Sequence, residues 1–468
     1  MRASFGARGE VPAAVSVAGD RLPLRRVLHT WWPLAASWLL MAVELPAVSA
    51  VVARLPLPQV SLAAWGGVIF PLSLIIESPI IMLLAASTAL SKDYATYRKV
   101  RRFMFWAGGL LTALHVLVAF TPLYYFIVRV LIGAPEEIVQ PARIGLQLMT
   151  PWTMSIAYRR FNQGVLIRFG HSDAVGVGTA VRLVADCLVL GAGLLSGALP
   201  GITVAGCAVA LGVISEAAYA GLRVRPVVRD ELKPAPHSGL NLDLRSFIAF
   251  YTPLAMTSLI TLLIQPMGSA ALSRMPGALE SLAAWPVVSG LIFMIRSMGN
   301  AYNEVVVAML DEPRSTLTLR RFTALLVTVS VGLVVVIAAT PLSEFWFGAV
   351  SALPPSLADL ASAAVWFALP VPALTVLQSW FQGTLVNTRH TRPVTEAVAI
   401  GLGLSALVLV AGVVFGQWTG LFVTWLAFDV GGVAQTAWLW YRSRGTLRQA
   451  MVRDGESVPF TQADLVGG

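Results

Sequence analysis

Twelve long apolar runs, each bounded by charged residues, proline or glycine, follow one another through the 468 residues of this chain. They cover about residues 27–53, 60–90, 103–132, 138–160, 174–195, 201–222, 246–273, 279–309, 322–347, 357–385, 394–415 and 418–441. A helix of roughly 20 apolar residues crosses the hydrocarbon core of a bilayer, about 30 Å thick. The pattern therefore predicts an all-α polytopic membrane protein with twelve transmembrane helices. Composition agrees, with 57% of residues hydrophobic and 12% charged, against roughly 25% charged in a water-soluble domain. So many spans leave only short connections, which excludes a separate soluble domain. Residues 1–24 hold one brief apolar run, Val11–Val17, and no cleavage pattern, so the first span itself is expected to direct insertion.

A net charge of +9 raises nucleic acid as a partner, but the placement of the 33 basic residues argues against it. Twenty-seven lie in the two tails and in alternate connections, at 91–102, 159–168, 223–245, 314–321 and 389–392. Only Arg54, Arg129 and Arg274 fall on the opposite side, and Arg143, Arg182 and Arg296 lie inside spans. By the positive-inside rule both termini are expected in the cytoplasm of a cell whose plasma (inner) membrane the chain crosses. The cysteines, Cys187 and Cys207, sit inside spans without metal-ligand spacing, so neither a disulfide framework nor a metal site is indicated.

The chain also repeats itself. Ser61-Leu62-Ala63-Ala64-Trp65 returns as Ser281-Leu282-Ala283-Ala284-Trp285 and Pro33-Leu34-Ala35 as Pro253-Leu254-Ala255, both at an offset of 220. The offset then becomes 219: Arg101-Arg102-Phe103 matches Arg320-Arg321-Phe322, Thr121-Pro122-Leu123 matches Thr340-Pro341-Leu342, Pro151 matches Pro370, Gln163-Gly164 matches Gln382-Gly383, and His171 matches His390. Each copy holds six spans, so both enter the membrane from the same side and are parallel repeats. Such repeats build transporters with the substrate site at the interface between the halves. The expected organisation is an N-terminal tail (1–24), a first lobe (25–222), a cytoplasmic linker (223–245), a second lobe (246–442) and a C-terminal tail (443–468).

A six-plus-six parallel repeat with proline in its first and seventh helices resembles the multidrug, oligosaccharidyl-lipid and polysaccharide exporter superfamily, which includes the MATE multidrug transporters and lipid-linked sugar flippases. Within it, Trp31-Trp32-Pro33-Leu34-Ala35, the run Leu114–Phe120 with Tyr124-Tyr125-Phe126, and the basic loop Asp93–Lys99 look most like the progressive ankylosis protein branch. The resemblance implies an exporter fold and, from that branch, a small organic anion such as citrate, a nucleotide or pyrophosphate as substrate.

Charges at mid-membrane cost about 2.5–3.5 kcal/mol each on insertion scales and therefore face a bundle interior or an aqueous cavity. Glu77 and Arg296 occupy matching positions in the second and eighth spans, which predicts an ion pair across the cleft, either a gate or a static bridge. Arg296, Asn300, Asn303 and Glu304 share one helical stripe, which makes the first three the expected substrate contacts, with Gln265 beside Pro266 as a further one. Glu44, two residues before Pro46, and Glu77 are the expected gating or coupling groups, with Glu304 beside them, for H+ or Na+. Arg182 and Asp186, four apart, are expected to neutralise each other, Glu216 to snorkel toward the cytoplasm, and Arg143 to pair near Glu136 and Glu137. His115 reads as a packing residue, and His171 and His390 as parts of architectural loops after Gln-Gly pairs whose glycines suit a left-handed helix end. The aromatic groups Trp31-Trp32, Tyr124-Tyr125 and Trp438–Tyr441 read as interfacial belts.

No phosphate-binding glycine loop, zinc-protease motif or nucleophile elbow is present, so no catalysis, cofactor or ATP-driven pumping is expected. The reading is a monomeric secondary exporter of a small, anionic molecule by alternating access, set in the lipid bilayer and without nucleic acid. Glu44, Glu77 and Glu304 outnumber Arg296, a balance that also suits a proton- or sodium-coupled exporter of multidrug cations. A lipid-linked saccharide flippase is the other alternative.

Overall fold

The computed structural model describes residues 22–236, 243–388 and 392–455, and these are helical with turns and no strands. His390, most of the N-terminal tail and the end of the C-terminal tail lie outside the described residues. Twelve helical segments follow in order: α1 (Leu24–Val52), α2 (Pro58–Leu90), α3 (Tyr94–Phe120), α4 (Glu136–Leu148 with Thr150–Arg168), α5 (Asp173–Ser196), α6 (Gly201–Leu232), α7 (Arg245–Leu272), α8 (Ala278–Met309), α9 (Ser315–Ala339), α10 (Pro355–Phe367 with Pro370–Asn387), α11 (Arg392–Phe415) and α12 (Gly420–Arg453). Among the described residues nine of these are long and apolar enough to cross a membrane, and α10 makes a tenth when its two halves, bent by 40°, are taken together. The chain is a multi-pass membrane protein. Segments α4 and α12 have the place and length of spans but carry more polar residues.

Local sequence explains the breaks. Pro151 and Pro370 each follow the point where α4 and α10 break, because proline lacks the N–H of the helical ladder and its ring clashes with the preceding turn. After the matched Thr-Pro pairs that follow α3 and α9, the chain winds into π-helical turns, Phe126–Ile132 and Phe345–Val350. Helices run further than the apolar runs alone indicated: α4 continues to Arg168, α6 to Leu232 and α12 to Arg453. Much of the expected linker and C-terminal tail is therefore helix.

Packing repeats at a displacement of six helices. Helix α5 lies along α6 as α11 lies along α12, and α4 packs on α6, α3 and α2 as α10 packs on α12, α9 and α8. Across the middle, α1 packs on α8, α7 on α2, and α2 on α8. Individual hydrogen bonds obey the same pseudo-twofold. Trp31 Nε1 donates to the Met298 carbonyl and Tyr251 Oη to the Pro79 carbonyl; the two donors are 220 residues apart and the two acceptors 219. Trp31 is therefore an inter-helix tie, while Trp32 is exposed. At the ends of α1 and α7, Arg54 donates to the Ala349 and Val350 carbonyls (2.7 and 2.9 Å), and Arg274 to those of Val130, Leu131 and Ile132 (2.8, 2.9 and 2.6 Å). Each arginine caps the π-helical turn of the other half, where unsatisfied carbonyls and the helix dipole favour a cation.

Gly164 and Gly383 lie inside helices, not at left-handed ends. Their role is close approach: a Cβ on Gly164 would stand 2.4 Å from the Leu84 carbonyl oxygen, and one on Gly383 2.7 Å from Val306 Cβ. Small residues let membrane helices meet backbone to backbone. Gly164→Ala is expected to destabilise the protein by about 1–3 kcal/mol through overpacking against α2, read as a lowered midpoint in thermal unfolding of the purified protein; an unchanged midpoint would count against this packing.

Candidate functional site

Two polar sites occupy equivalent places in the two halves. In the first, α1 breaks at Val43, just ahead of Pro46, and the next residue, Glu44, accepts a hydrogen bond from Arg182 Nη2 on α5. Arg182 Nη1 lies 3.7 Å from Glu216 Oε2 on α6. The same carboxylate accepts from Arg159 Nη1 (2.6 Å), and its other oxygen from Gln163 Nε2 (2.9 Å), both on α4. Glu216 is 0% exposed. Burial of such a group is tolerated only where opposite charge and hydrogen bonds replace water, as this set does.

Three further charges complete this cluster. Glu77 on α2 is buried, within electrostatic reach of Arg159, Arg160 and Arg182, and its Oε2 has no hydrogen-bond partner. Both carboxylate oxygens of Asp186 on α5 are also buried and unpartnered, and a Cβ at Gly212 of α6 would stand 1.8 Å from Oδ1. Glu44, Glu77, Asp186 and Glu216 thus face Arg159, Arg160 and Arg182. Four carboxylates against three guanidiniums leave one excess negative charge when all are ionised.

In the second half the matching positions carry different chemistry. Glu77 becomes Arg296, Arg159 becomes Gln378, Arg182 becomes Gly401, Asp186 becomes Ser405 and Glu216 becomes Gln435, each 219 residues further on. Replacing two arginines by an amide and a glycine removes both charge and volume, and a cavity of about 260 Å³ opens there. Its polar lining includes Gln265, Arg296, Thr375, Gln378, Ser405 and Gln435. Arg296 donates through Nε to Thr375 Oγ1 (2.8 Å), and among the described residues no carboxylate is ion-paired with it. Gln378 Nε2 donates to the Gly432 carbonyl and meets Thr436 Oγ1, both at 3.2 Å, which orients its amide across α12.

The expected cleft pair between Glu77 and Arg296 is absent: each side chain turns into its own half, Glu77 toward the arginines of α4 and α5 and Arg296 toward Thr375 of α10. Arg296 and Gln265 do meet in one cavity. Asn300 and Asn303 are partly buried but not among its lining residues, and Asn303 Nδ2 instead faces the Ser379 carbonyl (3.4 Å). Glu304 is exposed, with Trp38 Nε1 3.5 Å from its Oε1. Arg182 takes Glu44 and Glu216 as partners instead of Asp186, because facing helices bring those carboxylates closer than the same helix does. Glu216, expected to snorkel, is fully enclosed. Arg143 caps the end of α3 through the Ala119 and Phe120 carbonyls (3.1 and 2.9 Å), while Glu136 pairs with Arg129. His115 of α3 packs against α4, between Thr153 Oγ1 (2.8 Å) and the Leu146 carbonyl (3.1 Å).

The apolar run fades near residue 160, so the sequence puts Arg159 and Arg160 in a connection, whereas the structure places them within the helix Thr150–Arg168. The repeat offset, carried through Gln163 and Gln382 into the flanking turns, is the signal that places them inside a helix opposite Gln378 and Ser379.

No protein-family profile and no curated protein sequence matches the chain. Solved structures do. An inward-facing multidrug resistance MATE family transporter of the MOP superfamily is 14% identical, with a TM-score of 0.60 over 93% of this chain and 97% of the other. The lipid II flippase MurJ, in an inward closed conformation, gives 0.67 at 11% identity over 90% of each chain. A MOP superfamily transporter from Pyrococcus furiosus, described by the reversed polarity of its binding pocket, gives 0.62 at 12% identity over 92% of this chain and 99% of the other. At such identities the likeness establishes fold. This chain has the fold of the MOP superfamily membrane transporters.

Proposed function

We propose that this protein is a secondary exporter that moves a small organic anion by alternating access, from a plasma membrane position with both termini in the cytoplasm. The observation that carries the reading is Arg296: a cation lining a cavity of otherwise uncharged side chains, with no carboxylate paired to it. A partly buried guanidinium without a counter-ion is costly, and an entering carboxylate or phosphate supplies the missing charge through a bidentate contact. Gln265 and Gln435 add amide donors without further charge. The cavity, about 260 Å³, is at or below the small end of ligand sites, which favours a citrate- or pyrophosphate-sized anion over a lipid-linked saccharide or a bulky drug. The same substrate class follows from the resemblance to the progressive ankylosis branch.

The first half supplies the coupling site. Its excess carboxylate charge is neutralised by one proton or one Na+, and the unpartnered oxygens of Glu77 and Asp186 are where the ion binds. Glu44, tied to Arg182 at the break in α1, converts that event into movement of α1. Both halves belong to one chain, so a monomer is the working unit. Efflux from reconstituted vesicles should be followed with labelled citrate, ATP, pyrophosphate and a cationic dye. Anion movement that responds to a pH or Na+ gradient is expected, and Glu77→Gln with Asp186→Asn should flatten that response while the protein stays folded. Dye movement without anion movement would transfer the reading to a cation exporter.

A further inference from the structure

A second basic cavity lies outside both matched sites, at the end of the first half where α3, α4 and α6 converge. It measures about 250 Å³ and is lined by Arg101, Tyr158, Asn162, Arg225, Arg229 and Lys233, among others. Arg229 is held by its neighbour Asp230 (2.6 and 2.9 Å), and the nearby Glu231 is engaged by His171 Nε2 (2.8 Å). Among the described residues no carboxylate is ion-paired with Arg101, Arg225 or Lys233. Two of these cations rest on aromatic rings, Arg101 over Phe105 (5.6 Å) and Lys233 over Tyr94 (5.8 Å). A ring face attracts the charge without using the N–H donors; Arg101 gives one of its donors to the Tyr97 hydroxyl, and the others remain for an oxyanion. The floor is preformed: Asn162 is 2% exposed, and the Tyr158 ring is seated against Gly221, where a Cβ would stand 2.5 Å from its hydroxyl.

At the same end of the second half, Asp454 ties the end of α12 to the start of α9. Asp454 accepts from Arg453 Nε (2.9 Å), Thr316 Oγ1 (2.7 Å), Thr316 N (3.0 Å) and Arg314 N (3.2 Å). Partial burial works against its charge, but the hydrogen bonds from Arg453 and Thr316 prevail and hold the carboxyl below the usual carboxylate range. The residue 219 positions before Asp454 is Ala235, so the first half lacks this tie between the end of α6 and the start of α3.

We propose that this corner is a binding site for a phosphate-bearing anion, separate from the Arg296 cavity. Three unpaired cations around a polar, preformed hollow match a phosphate group, which arginine binds with two parallel N–H bonds. The phosphate comes either from a lipid headgroup or from a free anion. Phe105 and Leu222, one turn deeper on α3 and α6, are 44% and 58% exposed and offer an apolar track for acyl chains below the headgroup.

The test uses the full chain in the Arg296→Ala background, which removes the other cavity's cation. In one arm, protein extracted from phosphatidylcholine vesicles containing phosphatidylglycerol is weighed by native mass spectrometry for retained anionic lipid. In the other, inorganic pyrophosphate binding is measured in phosphatidylcholine alone. Arg101→Gln with Arg225→Gln should weaken binding by on the order of tenfold per guanidinium, whereas the matched pair Arg320→Gln with Arg444→Gln should leave it unchanged. Lys233→Glu should lower it in the same direction with both arginines intact, so a misfolded double variant does not decide the matter. Loss confined to the lipid arm identifies a headgroup, and loss of pyrophosphate identifies a free anion. Equal binding by the parent, the double variant and Lys233→Glu in both arms overturns the site.

Discussion

Arg296→Ala should lower the initial rate of anion efflux at subsaturating substrate by roughly 10- to 100-fold, the effect of removing one charge-assisted contact of about 1.5–3 kcal/mol. The side chain is partly buried and, among the described residues, its hydrogen bond is to Thr375 and no carboxylate pairs with it, so the fold is expected to survive its removal. Arg296→Lys should restore part of the rate, because an ammonium keeps the charge but not the planar fork that grips two oxygens at once. The measurement is efflux of labelled citrate or pyrophosphate from vesicles reconstituted with equal amounts of folded protein. If the alanine variant exports anion at the parent rate, Arg296 is not at the substrate and the cavity of the second half has another purpose.

Glu216→Ala should be the most destabilising single change in the first-half cluster, by about 3–5 kcal/mol, because it strips Arg159 of its carboxylate and Arg182 of one of two. Side-chain exposures of 8% for Arg159 and 1% for Glu216 leave almost no water to compensate. Glu216→Gln should cost less, since an amide oxygen still accepts from the guanidinium of Arg159 or from Gln163 while the charge is lost. Equilibrium unfolding in detergent, followed by helical circular dichroism, reads the difference. The contrast with Asp186→Asn is diagnostic: neither Asp186 oxygen has a partner, so neutralising it should leave stability near the parent value. Equal losses for Glu216→Ala and Asp186→Asn would mean that the cluster is not wired as described.

Individual residues show where sequence reasoning reached and where it stopped. The place of Arg54 and Arg274 on the sparsely charged side is readable in the sequence. Their partners are not, because the carbonyls of Val130–Ile132 and Ala349–Val350 belong to the opposite halves and come within reach only when α1 and α7 pack beside those turns. Arg182 and Asp186 are one helical turn apart, a spacing that suggests a local pair, yet Glu44 and Glu216 from facing helices take the arginine. The Gln-Gly repeats were visible as repeats, but Gly164 and Gly383 serve helix approach, which depends on what lies opposite them.

Sequence by itself determined the membrane setting, the order and approximate limits of the helices, and the duplication that relates the two halves. All three follow from hydropathy and from residue identity along one strand of chain, where distance in sequence is distance in space. Tertiary structure alone decided which charges neutralise each other, that Glu77 and Arg296 turn away from one another, and that the same place is filled by an ionic cluster in one half and left as a cavity in the other. Those outcomes depend on lateral packing: a guanidinium takes whichever carboxylate a neighbouring helix presents within a few ångströms, and linear spacing does not encode that neighbour.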